Sequence, residues 1–367
     1  MIKKKMIKLL KFTFIYLFFF LIGDIVVSNF FIKTKIENNC YEQLDDFYRL
    51  KKNCYAKEKW IKKSKSYKVY TDENGFRYNG DKKAHLTKNK TAAFFGGSFT
   101  YGMGASFEDS FVGLIEKVQK DFNIVNLGVA GYSPTVYNYQ LEKLIQKRII
   151  PNKIFLVLDI VDVNNEATNW EITDNASRPV NIEYIPNVKN DEKKFKNFKR
   201  KNFKITRMIS TSINNFLRSL RFHISKLNQE YKKPELSQYG SFLSKDLKEL
   251  DKTFWNPYGF DQAILKIKKG IQNIGEIARN INADFYIIIY PWPDSLEYGQ
   301  GKFNWEEFAH QLCNDNSCTK LINFFPEFND LKLSSKNWVN KLYLEDDVHL
   351  TVFGHDLIAQ KILKESF

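Results

Sequence analysis

From Thr91 onward the chain alternates short apolar runs with segments of helical period, and that alternation admits few folds. TAAFF (Thr91 to Phe95), FNIVNLG (Phe122 to Gly128), IFLVLDIV (Ile154 to Val161), DFYIIIY (Asp284 to Tyr290) and Lys320 to Phe324 read as strands. Among them, Glu108 to Lys120 carries Phe111, Leu114, Ile115 and Val118 at helical spacing. Thr135 to Lys147, Ala263 to Asn280 and Val352 to Leu363 read as further helices. Strands separated by helices predict an α/β domain, a parallel sheet of about five strands covered on both faces. Active sites in such sheets lie at the carboxyl ends of the strands.

The N-terminus obeys different rules. Lys3, Lys4, Lys5, Lys8 and Lys11 precede Phe12 to Ile32, a run that is apolar apart from Asp24 and a few small polar residues. At ~1.5 Å per residue such a run crosses a ~30 Å hydrocarbon layer. No small-x-small cleavage site follows it, so residues 1–33 are expected to be a cytoplasmic stub and an uncleaved transmembrane anchor. The leading lysines favour a cytoplasmic N-terminus, which puts the rest of the chain in a periplasmic or extracellular space. Asp24 is expected close to the outer interface. A lysine-rich juxtamembrane segment fills 34–88, with a turn at Asp72 to Gly75 between two short strands.

The cysteines form two local pairs, Cys40 with Cys54 and Cys313 with Cys318. An oxidising compartment favours a disulfide in each over a zinc site, for which the nearby histidines are too few. The five histidines show no HxxxH-type spacing, so neither a metal nor another cofactor is expected.

A net charge of +14 implies affinity for polyanions. The expected topology sets nucleic acid aside and leaves anionic lipid or acidic glycan. Much of the charge falls in an interruption at about 168–250, which carries the basic run EKKFKNFKRKNFKITR (Glu192 to Arg207). Ile205, Ile209, Ile213, Phe216, Leu220, Ile224 and Leu227 then recur at helical intervals, as in an amphipathic helix. It serves either as a lid or packing helix or as a contact with anionic lipid or polysaccharide. No repeat and no Gly/Ser-rich linker divides 89–367, so one domain with a helical insertion describes it.

Chemistry concentrates at two places. In FFGGSFTYGMG, Ser98 follows the first strand of the alternation, and Gly96 and Gly97 allow a sharp turn with backbone N–H groups turned toward an oxyanion. A serine there is a cap or a nucleophile; as a nucleophile it needs a base. LEDDVHLTVFGH (Leu344 to His355) offers His349, with Asp346 and Asp347 just before it. A carboxylate on one imidazole nitrogen would leave the other to accept the Ser98 proton. His355, inside the last helix, is expected to pack or cap. Trp292, after the fourth strand, is either a sugar-stacking face or a core aromatic.

Four blocks together, GGSFTYG, NLGVAGYSP, LVLDIVDVNNE and DDVHLTVFGH, resemble the SGNH/GDSL hydrolase superfamily, and YTDENGFR resembles the turn that often precedes the nucleophile in membrane-anchored members. The resemblance runs from about Thr91 to the C-terminus without the insertion, and implies a three-layer, flavodoxin-like α/β/α sheet. It implies Ser98 as nucleophile, His349 as general base and Asp346 as the orienting carboxylate, with Asp347 the alternative. Gly131 would add a backbone N–H to that of Ser98 in the oxyanion hole. Two positions depart from the pattern. Gly97 stands where the motif has aspartate, which leaves the nucleophile intact. The third block lacks the usual asparagine donor, and an ionised Asp162 accepts hydrogen bonds but cannot donate one. Asn164 or Asn165 substitutes, Asp162 is protonated, backbone donors suffice, or Asp162 is structural and ties the third strand to its loop.

By that resemblance the chain is expected to be an anchored serine esterase or O-acyltransferase, acting on acyl (acetyl) esters of a cell-surface polysaccharide or glycolipid through an acyl-enzyme. The alternatives are an outward-facing glycan-binding or assembly protein that has lost catalysis, and a lipase or thioesterase.

Overall fold

The computed structural model describes residues 2–30, 39–44, 46–61, 64–81, 86–172, 178–181, 202–206, 208–210, 212–213, 259–300, 303–345 and 347–367. Asp346, most of the basic run and most of the expected insertion therefore lie outside the described residues. The chain divides into two compact units, one of residues 1–37 with 186–234, the other of 38–185 with 235–367.

In the first unit, helix α1 (Ile2–Phe30) contains one stretch, Lys11–Phe30, long and apolar enough to cross a membrane, with a mean hydropathy of 1.8. Asp24 has partners that its own segment does not supply. Its carboxylate accepts from Ser28 Oγ (2.7 Å), Ile205 N (3.0 Å), Thr206 N (2.8 Å) and Thr206 Oγ1 (2.6 Å). The sequence reading placed Asp24 near the outer interface because a charge at depth is costly; here its carboxylate is buried against the residues around Ile205.

The second unit is built on a single sheet. Its strands β1 (Tyr41–Gln43) and β2 (Tyr48–Leu50) form a separate hairpin, and β3 (Tyr55–Glu58), β4 (Tyr67–Thr71) and β5 (Arg77–Tyr78) follow. Then come β6 (Lys90–Gly96), α2 (Ser98–Tyr101), α3 (Phe111–Val118), β7 (Phe122–Asn126), α4 (Pro134–Gln146), β8 (Lys153–Leu158) and α5 (Val161–Thr168). A two-residue pair, β9 (Trp170–Glu171) and β10 (Val180–Asn181), is followed by α6 (Gly259–Asn280), β11 (Asp284–Ile289), α7 (Pro293–Tyr298), α8 (Trp305–Asp315) and β12 (Lys320–Asn323). Helices α9 (Phe325–Ser334), α10 (Trp338–Leu342) and α11 (Val352–Ser366) close the chain.

Among the described residues the main sheet has eight strands in the order β12-β11-β8-β6-β7-β5-β4-β3. The five from β12 to β7 are parallel, and β5, β4 and β3 add antiparallel strands from segment 34–88. Those strands are only two to five residues long, too short for a sequence pattern to extend the sheet to them. Counted among the parallel strands alone, the order is 2-1-3-4-5, the flavodoxin-like arrangement, and its switch point lies between β6 and β8.

Burial on both faces explains why these runs read as continuously apolar: β6, β8 and β11 are buried at every position after their first residue. Phe94, Phe155 and Tyr286 are cross-strand partners on adjacent strands, with ring centroids 4.4 and 4.8 Å apart. α4 and α5 pack on α6, and α3 packs on α11. Disulfides join Cys40 to Cys54 and Cys313 to Cys318.

Candidate active site

Ser98 stands two residues beyond the end of β6, at the switch point, and opens the short helix α2. The turn depends on Gly96, where a β-carbon would stand 2.1 Å from Thr100 Oγ1, too close for any side chain. Gly97 is different: its φ is −82°, and a β-carbon there would meet nothing closer than 3.7 Å. Only one of the two glycines is required by close approach. The loop that follows is clamped by Arg77, fully buried, whose guanidinium donates to the carbonyls of Tyr101, Gly102 (2.9 Å) and Ala105 (2.5 Å). That clamp is the physical content of the YTDENGFR turn.

His349 arrives from the other end of the chain. Tyr343 and Leu350 pair as an isolated bridge, Leu344 N donates to His349 O (2.8 Å), and Asp347 N donates to Leu344 O (3.0 Å). This tight loop holds His349 just before α11, whose first turn is capped by Thr351 Oγ1 accepting from Gly354 N. His349 Nε2 lies 2.7 Å from Ser98 Oγ, and Nδ1 lies 2.5 Å from Asp347 Oδ1. The carboxylate at the imidazole is thus Asp347; Asp346 lies outside the described residues. Asp347 Oδ1 also accepts the His349 N–H (2.8 Å), which fixes the carboxylate on its own loop. With Nδ1–H donated to Asp347, Nε2 is the nitrogen free to take a proton from the serine. Burial would raise the Asp347 carboxyl, but the hydrogen bonds and charge of His349, joined by an indole, hold it below its ordinary value.

That indole belongs to Trp60, which sequence reasoning did not single out. Its Nε1 donates to Asp347 Oδ2 (2.9 Å), and its ring meets the His349 ring edge-on at 5.2 Å. Trp60 precedes Asp347 by 287 residues and sits in a lysine-rich stretch with no pattern of its own, so no local signal marks it. At 41% exposed it leaves one face to solvent while shielding the imidazole. Phe99 covers another side, its ring 5.0 Å from that of His349. Trp60→Phe keeps the ring and deletes the donor. If the bond to Asp347 orients the pair, steady-state assays on a chromogenic ester should show kcat/KM reduced by roughly tenfold, the worth of one hydrogen bond to a charged group. An unchanged rate would assign Trp60 to shielding alone.

Around the serine, neither the Ser98 nor the Gly131 N–H donates to a backbone carbonyl in the described turns and loops. Gly131 has φ +79°, which favours glycine, and a β-carbon there would press on Tyr48 Oη at 2.5 Å. The loop is braced from behind by Tyr48 Oη donating to Ala130 O (2.9 Å) and Trp170 Nε1 donating to Gly131 O (2.8 Å). Glu166, also missed from sequence, is fully buried and accepts from Ser133 Oγ, Thr135 N and Thr135 Oγ1, each at 2.7 Å. It locks the second block to α5 at the start of α4.

The third block departs from a donor-bearing wall. Asp162 is wholly buried and accepts from Asp159 N (3.1 Å) and Tyr137 Oη (3.2 Å). Asp159 accepts from Val161 N (3.2 Å) and Tyr290 Oη (2.8 Å). The two carboxyls thus brace the strand-to-helix turn between β8 and α5 and hold it to Tyr137 of α4 and to Tyr290, just beyond β11. Burial raises both, Asp159 to about 6, and Asp159 repels Asp162 further upward. Asn165 accepts from Asn169 through its amide oxygen, and among the described residues neither Asn164 nor Asn165 bonds Ser98 or His349.

Two other candidates fall inside the core. His355 is buried, its Nδ1 accepts from Phe111 N (3.3 Å), and burial depresses it to about 3, so it packs as a neutral ring. Trp292 is buried too, and presents no face for stacking on a sugar. Among the described residues no group of three or more His, Cys, Asp or Glu side chains could hold a metal ion.

No protein-family model matches the chain, and no curated protein does. Solved structures do. One is a variant of Axe2, an acetyl-xylooligosaccharide esterase from Geobacillus, with 11% identity, 77% of this chain and 96% of the other covered, and a TM-score of 0.40. Another is a member of the lipolytic G-D-S-L family from Veillonella parvula, with 14% identity, 76% and 98% covered, and a TM-score of 0.41. A third is an α/β hydrolase from the metagenome of Lake Arreo, with 8% identity, 77% and 96% covered, and a TM-score of 0.40. An esterase, a G-D-S-L protein and a hydrolase are what this chain is similar to.

Proposed function

We propose that the chain is a serine esterase or O-acyltransferase of the SGNH/GDSL type, acting on acyl esters through an acyl-enzyme on Ser98. The observation that carries this reading is the continuous line from Ser98 Oγ to His349 Nε2 (2.7 Å) and from Nδ1 to Asp347 (2.5 Å). In it, Ser98 Oγ attacks the ester carbonyl as its proton passes to His349 Nε2. Asp347 orients the ring and stabilises the imidazolium. The carbonyl oxygen, now an oxyanion, takes the backbone N–H groups of Ser98 and Gly131; with Asp162 engaged in bracing the strand-to-helix turn, the hole works on backbone donors. Collapse breaks the carbon–oxygen bond to the departing alcohol, which receives the proton from His349. A second nucleophile, water or an acceptor hydroxyl, then releases the acyl group by the same steps in reverse.

The apolar stretch Lys11–Phe30 supports membrane anchoring, and the two disulfides support an oxidising, extracytoplasmic setting for the second unit. The expected substrate is an acyl, by preference acetyl, ester of cell-surface carbohydrate.

A fluorophosphonate probe tests the nucleophile without knowledge of the substrate. The full chain in detergent should be labelled once, at Ser98, with labelling absent from Ser98→Ala. Failure of the folded wild type to label would favour the non-catalytic glycan-binding reading.

A further inference from the structure

A cavity of about 440 Å³ opens in the second unit between the β1–β2 hairpin, the turn at Asn74 and Gly75, and the outer side of α4. Ser98, Asp347 and His349 do not line it; it backs instead onto Leu127, Val129 and Tyr132, behind the Gly131 loop. Arg49, Lys52, Lys143, Lys147 and Arg178 all line it, and among the described residues no carboxylate does. Two of these cations have carboxylate partners, Arg49 with Glu42 and Arg178 with Asp46. Lys143 bonds the Gln146 amide and Lys147 the Asn74 amide, both neutral. Like charges converging on one hollow repel, and burial together with Lys52 pushes the Lys147 ammonium below its ordinary value. An arrangement that costs stability in the empty state is relieved when an anion enters.

Charge is not the whole of the lining. Phe47, Phe76 and Tyr139 supply ring walls, and the cations lie against them: Lys147 is 5.2 Å from the Phe76 centroid, Lys143 5.4 Å from Tyr139 and Arg178 5.5 Å from Phe47. At the wall, Gln140 donates through Nε2 to Leu127 O (2.9 Å). A bare inorganic anion would meet the cations but leave the ring walls and most of the volume without contact. A hydroxylated ring that carries an anionic group fits all of it, and the volume falls within the range of small-ligand sites, ~300–1,000 Å³.

We propose that this cavity is a binding site for an acidic sugar unit, separate from the serine. The inference goes beyond the esterase reading and does not depend on it, because binding can be measured in the Ser98→Ala chain.

Calorimetric titration of the full chain in detergent with trigalacturonate and with glucose 6-phosphate should show binding by at least one, weakened as salt is raised. Neutral maltotriose and inorganic phosphate should bind at least tenfold more weakly. Lys143→Gln with Lys147→Gln, two changes on the outer side of α4, should weaken binding by about tenfold or more, since two charge-assisted contacts are removed. An unchanged melting curve would show that the double variant is folded. Absence of binding by both acidic sugars overturns the proposal. So does phosphate binding as tightly as the sugars, which would reduce the cavity to a simple anion site, or acidic-sugar binding unaffected in the folded double variant.

Discussion

Ser98→Ala is expected to remove nearly all turnover of a chromogenic acetyl ester, by at least ~10³-fold and toward the ~10⁶ measured when the nucleophile of a serine protease is deleted. The size follows from what the substitution takes away. The hydroxyl is the only atom in the proposed sequence that forms a covalent bond with substrate, so the backbone donors and the bound geometry are all that would remain. The exchange should leave folding intact, because Ser98 Oγ bonds only His349 among the described residues. Turnover by the purified alanine variant within tenfold of wild type would sink the acyl-enzyme for that ester class.

Asp347→Asn is expected to lower kcat by about 10²–10⁴, the upper figure being that of the corresponding change in a serine protease, where the imidazole is left in the wrong tautomer. Asp347 makes three contacts within its own loop and with Trp60, and each assumes an acceptor. An amide would turn one donor group toward His349 Nδ1 or toward Trp60 Nε1, and either disturbs the ring. Asp346→Asn is the control, and its kcat should stay within about threefold of wild type if Asp347 alone orients the imidazole. Equal losses for the two variants, or a larger one at Asp346, would return the role to the carboxylate first expected from the spacing.

The pair of aspartates shows where a sequence stops being informative. Asp346 and Asp347 have the same chemistry, and a choice between them depends on which way a six-residue loop turns. That turn is set by the bonds of Leu344 with His349 and Asp347, which no spacing rule encodes. The parallel strands were legible because burial on both faces leaves runs such as DFYIII unbroken. The two short strands about the Asp72–Gly75 turn were legible and are β4 and β5, but β3 and the joining of all three to the main sheet were not, since that order is set by pairing with β7 and with one another. Asp162 and Asp159 illustrate a different limit: their types were visible, but the turn they brace appears only once Tyr137 and Tyr290 converge on them. Trp60 and Glu166 act across 287 and up to 33 residues, and only the fold brings their partners within reach. The basic insertion lies largely outside the described residues, and its two readings stand as they were.

The bond between Ser98 and His349 joins positions 251 residues apart. Contacts so distant in sequence form late, after loop-closure entropy has been met by the rest of the structure. A chain cut before Leu344, or one still emerging from the ribosome, would carry the serine and its turn but no base. On the proposed mechanism, chemistry would be withheld until the loop carrying His349 docks against Ser98, and covalent labelling of Ser98 would double as a report of that docking.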